Sequence, residues 1–298
     1  MIDYRNNLIN IKDKKNCDFQ LQNLSKNEYW KIDYFEIENN YKLLGEGQFG
    51  KVYKTQWRKL DVAIKKIDLN NINNEIYNEI AIWSSIRHPN IVSFLGISFD
   101  LNSNPLILLE FMEGGTLEEY MKNNKPSYNK IIKYALDISK GLYFLHNCKP
   151  QIIHRDINPS NLLLDRKNSI IKLSDFGISK MYENNDNIQM TGNSGTLRFM
   201  APEVYFNKFY NHKVDVYSFG MILYYLVYNI KPFYGLSKED LHNYHINDLK
   251  PKILKNTVFN SLIINTWKTD FNKRPDFEQI INQLFDIKQK KESSWWFF

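Results

Sequence analysis

Residues 153–177 decide how this chain is read. They begin Ile153-His154-Arg155-Asp156-Ile157-Asn158-Pro159-Ser160-Asn161, pass through the apolar run Leu162-Leu163-Leu164, and end in Ser174-Asp175-Phe176-Gly177. Asp156 and Asn161 are five residues apart, and Asp175 stands fourteen further on. The run Leu162–Leu164 reads as a short strand and Lys172-Leu173-Ser174 as its hairpin partner. That hairpin returns Asn161 and Asp175 to the same end of the structure. Two oxygen-bearing side chains in one place suit Mg²⁺, a hard cation that prefers oxygen ligands and keeps several waters. Asp156 is close enough to take a proton from an attacking hydroxyl. Asp and Asn in so short a stretch also fit ordinary turn chemistry, so the rest of the chain must decide.

A chain of 298 residues has room for two ordinary domains or one enzyme with two lobes. With 43% hydrophobic and 24% charged residues it has the composition of a soluble globular protein. No apolar run approaches the ~18 residues that span a bilayer, and Met1–Asn7 lacks the apolar core of a signal peptide. Cysteine occurs only as Cys17 and Cys148. No disulfide framework is expected, and a reducing compartment is implied, cytoplasm or nucleus. The net charge of +6 comes mostly from lysines scattered among acids. This is the pattern of a solvated surface, not of a basic stripe for nucleic acid, and no nucleic-acid partner is expected.

Residues 1–38 are polar, with order expected to begin among the aromatics from Tyr29 to Phe35. Three strands come next, Tyr41–Leu44, Val52–Thr55 and Val62–Lys65. Between the first two lies Gly45-Glu46-Gly47-Gln48-Phe49-Gly50, where glycines let backbone N–H groups approach phosphates. A dinucleotide fold places a helix after such glycines, but Lys51–Trp57 reads as a strand. A Walker A loop needs Ser or Thr at position 52 to hold Mg²⁺, and Val52 has no hydroxyl. Residues 73–86 read as a helix with Ile76, Ile80, Trp83 and Ile86 on one face. Ile91–Leu95 and Leu106–Phe111 read as two further strands. The remainder of the chain reads as mostly helical, including Ile131–His146. Glu183–Gly195 reads as a polar loop.

These motifs together resemble a eukaryotic protein kinase domain, from residue 41 to about 285. Val62-Ala63-Ile64-Lys65, His154-Arg155-Asp156, Asp175-Phe176-Gly177 and Ala201-Pro202-Glu203 stand in the family's order. The resemblance implies an α+β, bilobal protein kinase fold. Its N-lobe is a five-stranded antiparallel sheet with one helix, and its C-lobe is mainly helical. The implied divisions are an extension at 1–38, an N-lobe at 39–111, a C-lobe at 112–287 and a tail at 288–298. ATP and Mg²⁺ are the implied cofactors and a protein the implied substrate. Leu44, Gly45, Glu46, Gly47, Gln48, Phe49, Gly50, Lys51 and Val52 would cover the nucleotide. Ala63, Leu109, Glu110, Met112 and Leu163 would surround its base, with Glu110-Phe111-Met112 as the hinge. Lys65 would orient the phosphates, paired with Glu79, or with Glu75 one turn earlier. Asn161 and Asp175 would hold the metal, and Asp156 would accept the substrate's hydroxyl proton. Arg274 is the implied partner of Glu203.

Gly195-Thr196-Leu197-Arg198-Phe199-Met200-Ala201-Pro202-Glu203 is similar to the tyrosine-kinase-like group, whose members mostly phosphorylate Ser and Thr. Tyrosine kinases usually carry Ala and Arg between the catalytic Asp and Asn, which Ile157-Asn158-Pro159-Ser160 does not. The chain departs from the family at Asn158, where Ser/Thr kinases usually have a Lys facing the transferred phosphate. Losing one such donor typically costs ~10²–10³ in rate. Two alternatives stay open: a weak or inactive nucleotide-binding pseudokinase that serves as an interaction module, and a tyrosine or dual-specificity kinase. Arg155 is a candidate receiver for a phosphate on Thr191 or Ser194. The aromatic end Trp295-Trp296-Phe297-Phe298 is a candidate docking segment for a protein partner.

Overall fold

The computed structural model describes residues 30–47, 50–67, 80, 83–175, 180–181, 196–206 and 208–294. These form two compact units. One holds the described residues up to Arg87 together with Ser93–Phe111, and the other holds His88–Val92 with the described residues from Met112 onward.

The first unit is built on a five-stranded antiparallel sheet: β1 (Lys42–Gly47), β2 (Gly50–Trp57), β3 (Leu60–Lys66), β4 (Phe94–Phe99) and β5 (Pro105–Glu110). The strand order is β1-β2-β3-β5-β4. β2 turns into β3 through Arg58 and Lys59, at φ 48° and 67°. Two successive left-handed residues match the twist of a tight hairpin, although neither is glycine. Glu36 takes Arg58 Nε at 2.7 Å, and Glu38 takes Lys59 Nζ at 3.2 Å.

Strand alternation gives the sheet two distinct faces. Val62, Ile64, Leu106 and Leu108 share a core with Ile32 and Ile37 from the segment ahead of β1. That segment also extends the β4 edge, since Ile32 N–H donates to Ile97 O at 2.9 Å and Ile97 N–H to Trp30 O at 2.8 Å. Such cover removes an open sheet edge. The opposite face carries Ala63 and Lys65. Of the face expected at Ile76, Ile80, Trp83 and Ile86, the last three are buried and Ile76 lies outside the described residues; residues 80 and 83–85 are helical.

The strand expected at Ile91–Leu95 begins instead at Phe94. Ile91 and Val92 are buried in the second unit, where Ile91 bridges Leu173 and Val92 N–H donates to Leu173 O at 2.9 Å. An apolar β-branched pair reads as strand by composition, yet here it is buried through one bridge.

The second unit is mainly helical. Its helices are α1 (Leu117–Asn123), α2 (Tyr128–His146), α3 (Pro202–Tyr205), α4 (Lys213–Tyr228), α5 (Lys238–Ile246), α6 (Asn260–Thr266) and α7 (Phe277–Ser294). All of α4 is buried, as befits a helix that is apolar on every side. Gly220 allows its closest approach to α6: a Cβ there would sit 2.0 Å from Thr266 Oγ1. Four short strands complete the unit. β6 (Ile152–Ile153) pairs with β9 (Lys180–Met181), and β7 (Leu162–Leu164) pairs with β8 (Ile171–Leu173). The β7 partner therefore ends one residue before Ser174. α7 runs on past residue 287, and the aromatic end 295–298 lies outside the described residues.

Candidate active site

The chain leaves β6 at His154 and is caught at once by Asp215, in the first turn of α4. Asp215 Oδ2 accepts the His154 N–H at 2.9 Å, and Oδ1 accepts the Arg155 N–H at 2.8 Å. His146 Nε2 lies 2.8 Å from Oδ2. Asp215 is wholly buried, and a buried carboxylate needs such partners. Burial pushes its carboxyl up, but the bonds from His146 and His154 outweigh it and hold the group below the usual carboxylate range. The same grip holds Arg155 in the left-handed region, at φ 67°, a conformation that costs a non-glycine residue energy. Arg155 Nη1 donates to the Tyr210 hydroxyl at 3.1 Å, and its buried Nε has no partner among the described residues.

Asp156 is half-buried, and both of its carboxylate oxygens are held. Asn158 Nδ2 donates to Oδ1 at 2.7 Å, and Asn161 Nδ2 donates to Oδ2 at 2.8 Å. Asn161 also donates to the Asp156 carbonyl at 3.0 Å. Burial raises the Asp156 carboxyl above its usual range and the charge of Asp175 raises it further, against the pull of Asn158, His154 and Asn161. A carboxylate made more basic in this way is better suited to accept a proton.

Ser174 joins Asn161 to Asp175. Its N–H and hydroxyl both donate to the Asn161 carbonyl, at 2.9 and 3.1 Å, and His154 Nε2 lies 3.1 Å from the Ser174 carbonyl. Asp175 comes next, in the left-handed region at φ 62°. Because Asn161 spends its amide N–H groups on Asp156, its Oδ1 is the atom left to act as an acceptor. Among the described residues no cluster of three or more His, Cys, Asp or Glu could hold a metal ion. A side-chain carbonyl and a carboxylate fit Mg²⁺ only in company with waters and phosphate oxygens, which is this ion's usual coordination.

In the first unit the register brings the other predicted residues together. Val52 pairs with Lys65, Ala63 with Leu109, and Lys65 with Ile107. Paired residues share a face, so Val52, Ala63, Lys65 and Leu109 stand on one side of the sheet. Lys65 is buried, with Nζ 5.8 Å from the Trp83 ring centroid. Leu44, Gly45, Glu46 and Gly47 continue β1, and Lys51 pairs with Glu46 in the exposed turn-ward part of the ladder. Gly50 sits at φ 141°, where a Cβ would meet the Lys66 carbonyl at 2.2 Å, so glycine is required there. Glu110 ends β5, and its Oε2 accepts the Ser93 N–H at 3.1 Å. In the second unit Met112 is buried and its carbonyl accepts the Gly115 N–H at 3.2 Å. Leu163 pairs with Lys172 in the β7–β8 hairpin.

Gln48, Phe49, Glu75, Glu79, Phe176, Gly177, Thr191 and Ser194 lie outside the described residues. The sequence reading missed the roles of Asp215, His146 and Ser174. A usable signal was present for one of them: Asp215 lies in the apolar run Val214–Val227, where an acid must find partners.

The sequence profile described as protein tyrosine and serine/threonine kinase matches residues 39–284. Serine/threonine-protein kinase VIK of Arabidopsis thaliana is 34% identical over 275 residues, covering 87% of this chain and 62% of the relative. Human mitogen-activated protein kinase kinase kinase 7 is 34% identical over 261 residues, covering 84% of this chain and 41% of the relative. Dual specificity protein kinase splA of Dictyostelium discoideum is 33% identical over 294 residues, covering 90% of this chain and 12% of the relative. The chain thus spans less than two thirds of these relatives' own lengths. The fold, the order of the motifs and the profile agree: the chain belongs to the protein tyrosine and serine/threonine kinase family.

Proposed function

We propose that the chain is a protein kinase that transfers the γ-phosphoryl group of ATP to Ser and Thr hydroxyls of a protein substrate. The observation that carries this reading is the Asp156 carboxylate, half-buried and held on both oxygens by Asn158 and Asn161. The names of the relatives support the same reaction class.

In this reading the substrate hydroxyl attacks the γ-phosphorus while the bond to the bridging oxygen of ADP breaks. Asp156 takes the hydroxyl proton. Asn161 and Asp175 would hold Mg²⁺, which when bound would supply charge neutralisation at the phosphates. Lys65, with Glu79 as its assigned partner, would orient the phosphates, and residues 44–52 would cover them. To the base we assign Ala63, Leu109 and Glu110 of the first unit and Met112 and Leu163 of the second. Positioning and electrostatics carry most of such a transfer. Phosphoamino-acid analysis after transfer to a mixed protein substrate tests it. Phosphoserine and phosphothreonine are expected, and phosphotyrosine alone would overturn the Ser/Thr assignment.

The pseudokinase reading rests on Asn158 alone, and Lys65, Asp156, Asn161 and Asp175 are all present. The dual-specificity reading has the splA relative in its favour, and the same analysis decides it. For regulation, a phosphate on Thr191 or Ser194 would pair with Arg155, whose guanidinium still has donor capacity. Fully active protein with an unmodified 182–197 segment, read by mass spectrometry, would remove that idea. Cysteine usage supports a reducing, cytoplasmic setting, and no described helix is long and apolar enough to cross a membrane. The 295–298 aromatics are the segment we assign to a protein partner.

A further inference from the structure

Asn158 stands where the family usually carries a cation, and its side chain is fully engaged in two directions. Its Oδ1 accepts the Ser160 N–H at 2.9 Å and caps the short 3-10 turn Pro159–Asn161. Its Nδ2 donates to Asp156 Oδ1 at 2.7 Å, with a longer contact of 3.4 Å to the Asp156 carbonyl. The residue is 6% exposed. Its backbone is extended, at φ −145° and ψ 165°, which is the region that a following proline enforces. Pro159 therefore sets the direction from which the amide approaches Asp156. Asn161 closes on the other carboxylate oxygen from the far end of the same turn.

The geometry points to Asn158 as a positioning residue for the Asp156 carboxylate, a neutral clamp in place of the family's cation. This rests on reading Asp156 as the base. A cap alone needs only the Asn158 oxygen. The 2.7 Å bond uses the other end of the amide, and with Asn161 it removes the carboxylate's freedom to rotate. The clamp thus orients the base through its two carboxylate oxygens.

The two functions of the amide can be separated by substitution. Ala removes both, whereas Ser retains a capping oxygen but is too short to reach Asp156 Oδ1. Two measurements are made on the full chain. The first is the crystal structure without nucleotide, read for the rotamer of the Asp156 side chain. The second follows transfer from Mg²⁺-ATP to a Ser/Thr protein substrate. In Asn158→Ser the Asp156 carboxylate turns away from its wild-type orientation or occupies more than one rotamer, because one of its two clamping bonds is lost. Its kcat falls about tenfold or more through misorientation of the base, with KM for ATP unchanged. Thermal stability lost in Asn158→Ala returns in Asn158→Ser, while the rotamer and kcat do not. An Asn158→Ser protein with the wild-type Asp156 rotamer and kcat would reduce Asn158 to a cap and overturn the proposal. Wild-type protein that transfers no phosphate would sink the kinase reading separately, and the Asp156 rotamer would still decide the clamp.

Discussion

Arg274 and Glu203, 71 residues apart in sequence, meet in a buried two-point ion pair. Arg274 Nη2 donates to Glu203 Oε2 at 3.0 Å, and Nη1 donates to Oε1. Arg274 also gives Nη1 to the Lys213 carbonyl at 3.1 Å and takes Lys213 Nζ on its own carbonyl at 2.8 Å. The pair therefore ties α3 to the start of α4 and to the turn before α7. Removing one partner of a buried pair leaves an uncompensated charge and costs about 3–5 kcal/mol. Arg274→Met is expected to lose that much in denaturant unfolding. Adding Glu203→Leu should return part of it, and a double variant as unstable as the single one would show that packing, not charge, dominates.

His245 gives the second unit a pH dependence. It is buried on α5, stacked on Tyr205 at 4.8 Å, with Nε2 lacking a partner among the described residues. Burial pushes its pKa down to about 4, with Lys250 and His242 acting in the same direction, against a hydrogen bond to the Leu197 backbone and the charge of Asp248. The unfolded imidazole titrates at the ordinary value of 6.5. Between the two values the unfolded chain binds more protons, so stability falls as pH falls. From pH 7 to pH 5 this group alone removes about 2 kcal/mol. His245→Phe should flatten the unfolding free energy over that interval by about the same amount. An unchanged slope would mean that other groups set it.

Replacing Asn158 by Lys keeps a donor for Asp156 and adds the positive charge that the family usually places by the transferred phosphate. Turnover should rise, by up to ~10²-fold if the whole deficit lies in that missing donor. Lys has no acceptor for the Ser160 N–H, so loss of the cap should lower stability by about 1 kcal/mol. Steady-state kinetics and unfolding of the same protein check both. Unchanged or lower turnover would show that the missing cation does not limit the rate.

The parts of the site that depend on short spacing were legible from the chain itself. Asp156, Asn161 and Asp175 are joined by one hairpin, and Val52, Ala63 and Lys65 by adjacent strands. Their mutual placement comes from strand alternation and tight turns. Partnerships across long separations were not legible. His146 and Asp215 are 69 residues apart, and no periodicity links them. Asn158 read as a lost cation, because its hydrogen bonds exist only once Pro159 and the turn are built. The 30–37 segment lacks a period, and its role in covering the sheet appears only through the partners of Ile32, Ile37 and Ile97. Ile91 and Val92 were misread because β-branched residues are favoured in strands but are buried equally well beside one.

Phosphate transfer from Mg²⁺-ATP to a Ser/Thr protein substrate, beside Asp156→Ala and with ATP binding measured on both proteins, tests the central claim most directly. The expected result is turnover by the wild type, loss of at least ~10²-fold in Asp156→Ala, and similar ATP affinity in the two. Wild-type protein that binds ATP but transfers nothing, or an Asp156→Ala protein that transfers as fast as the wild type, would contradict it.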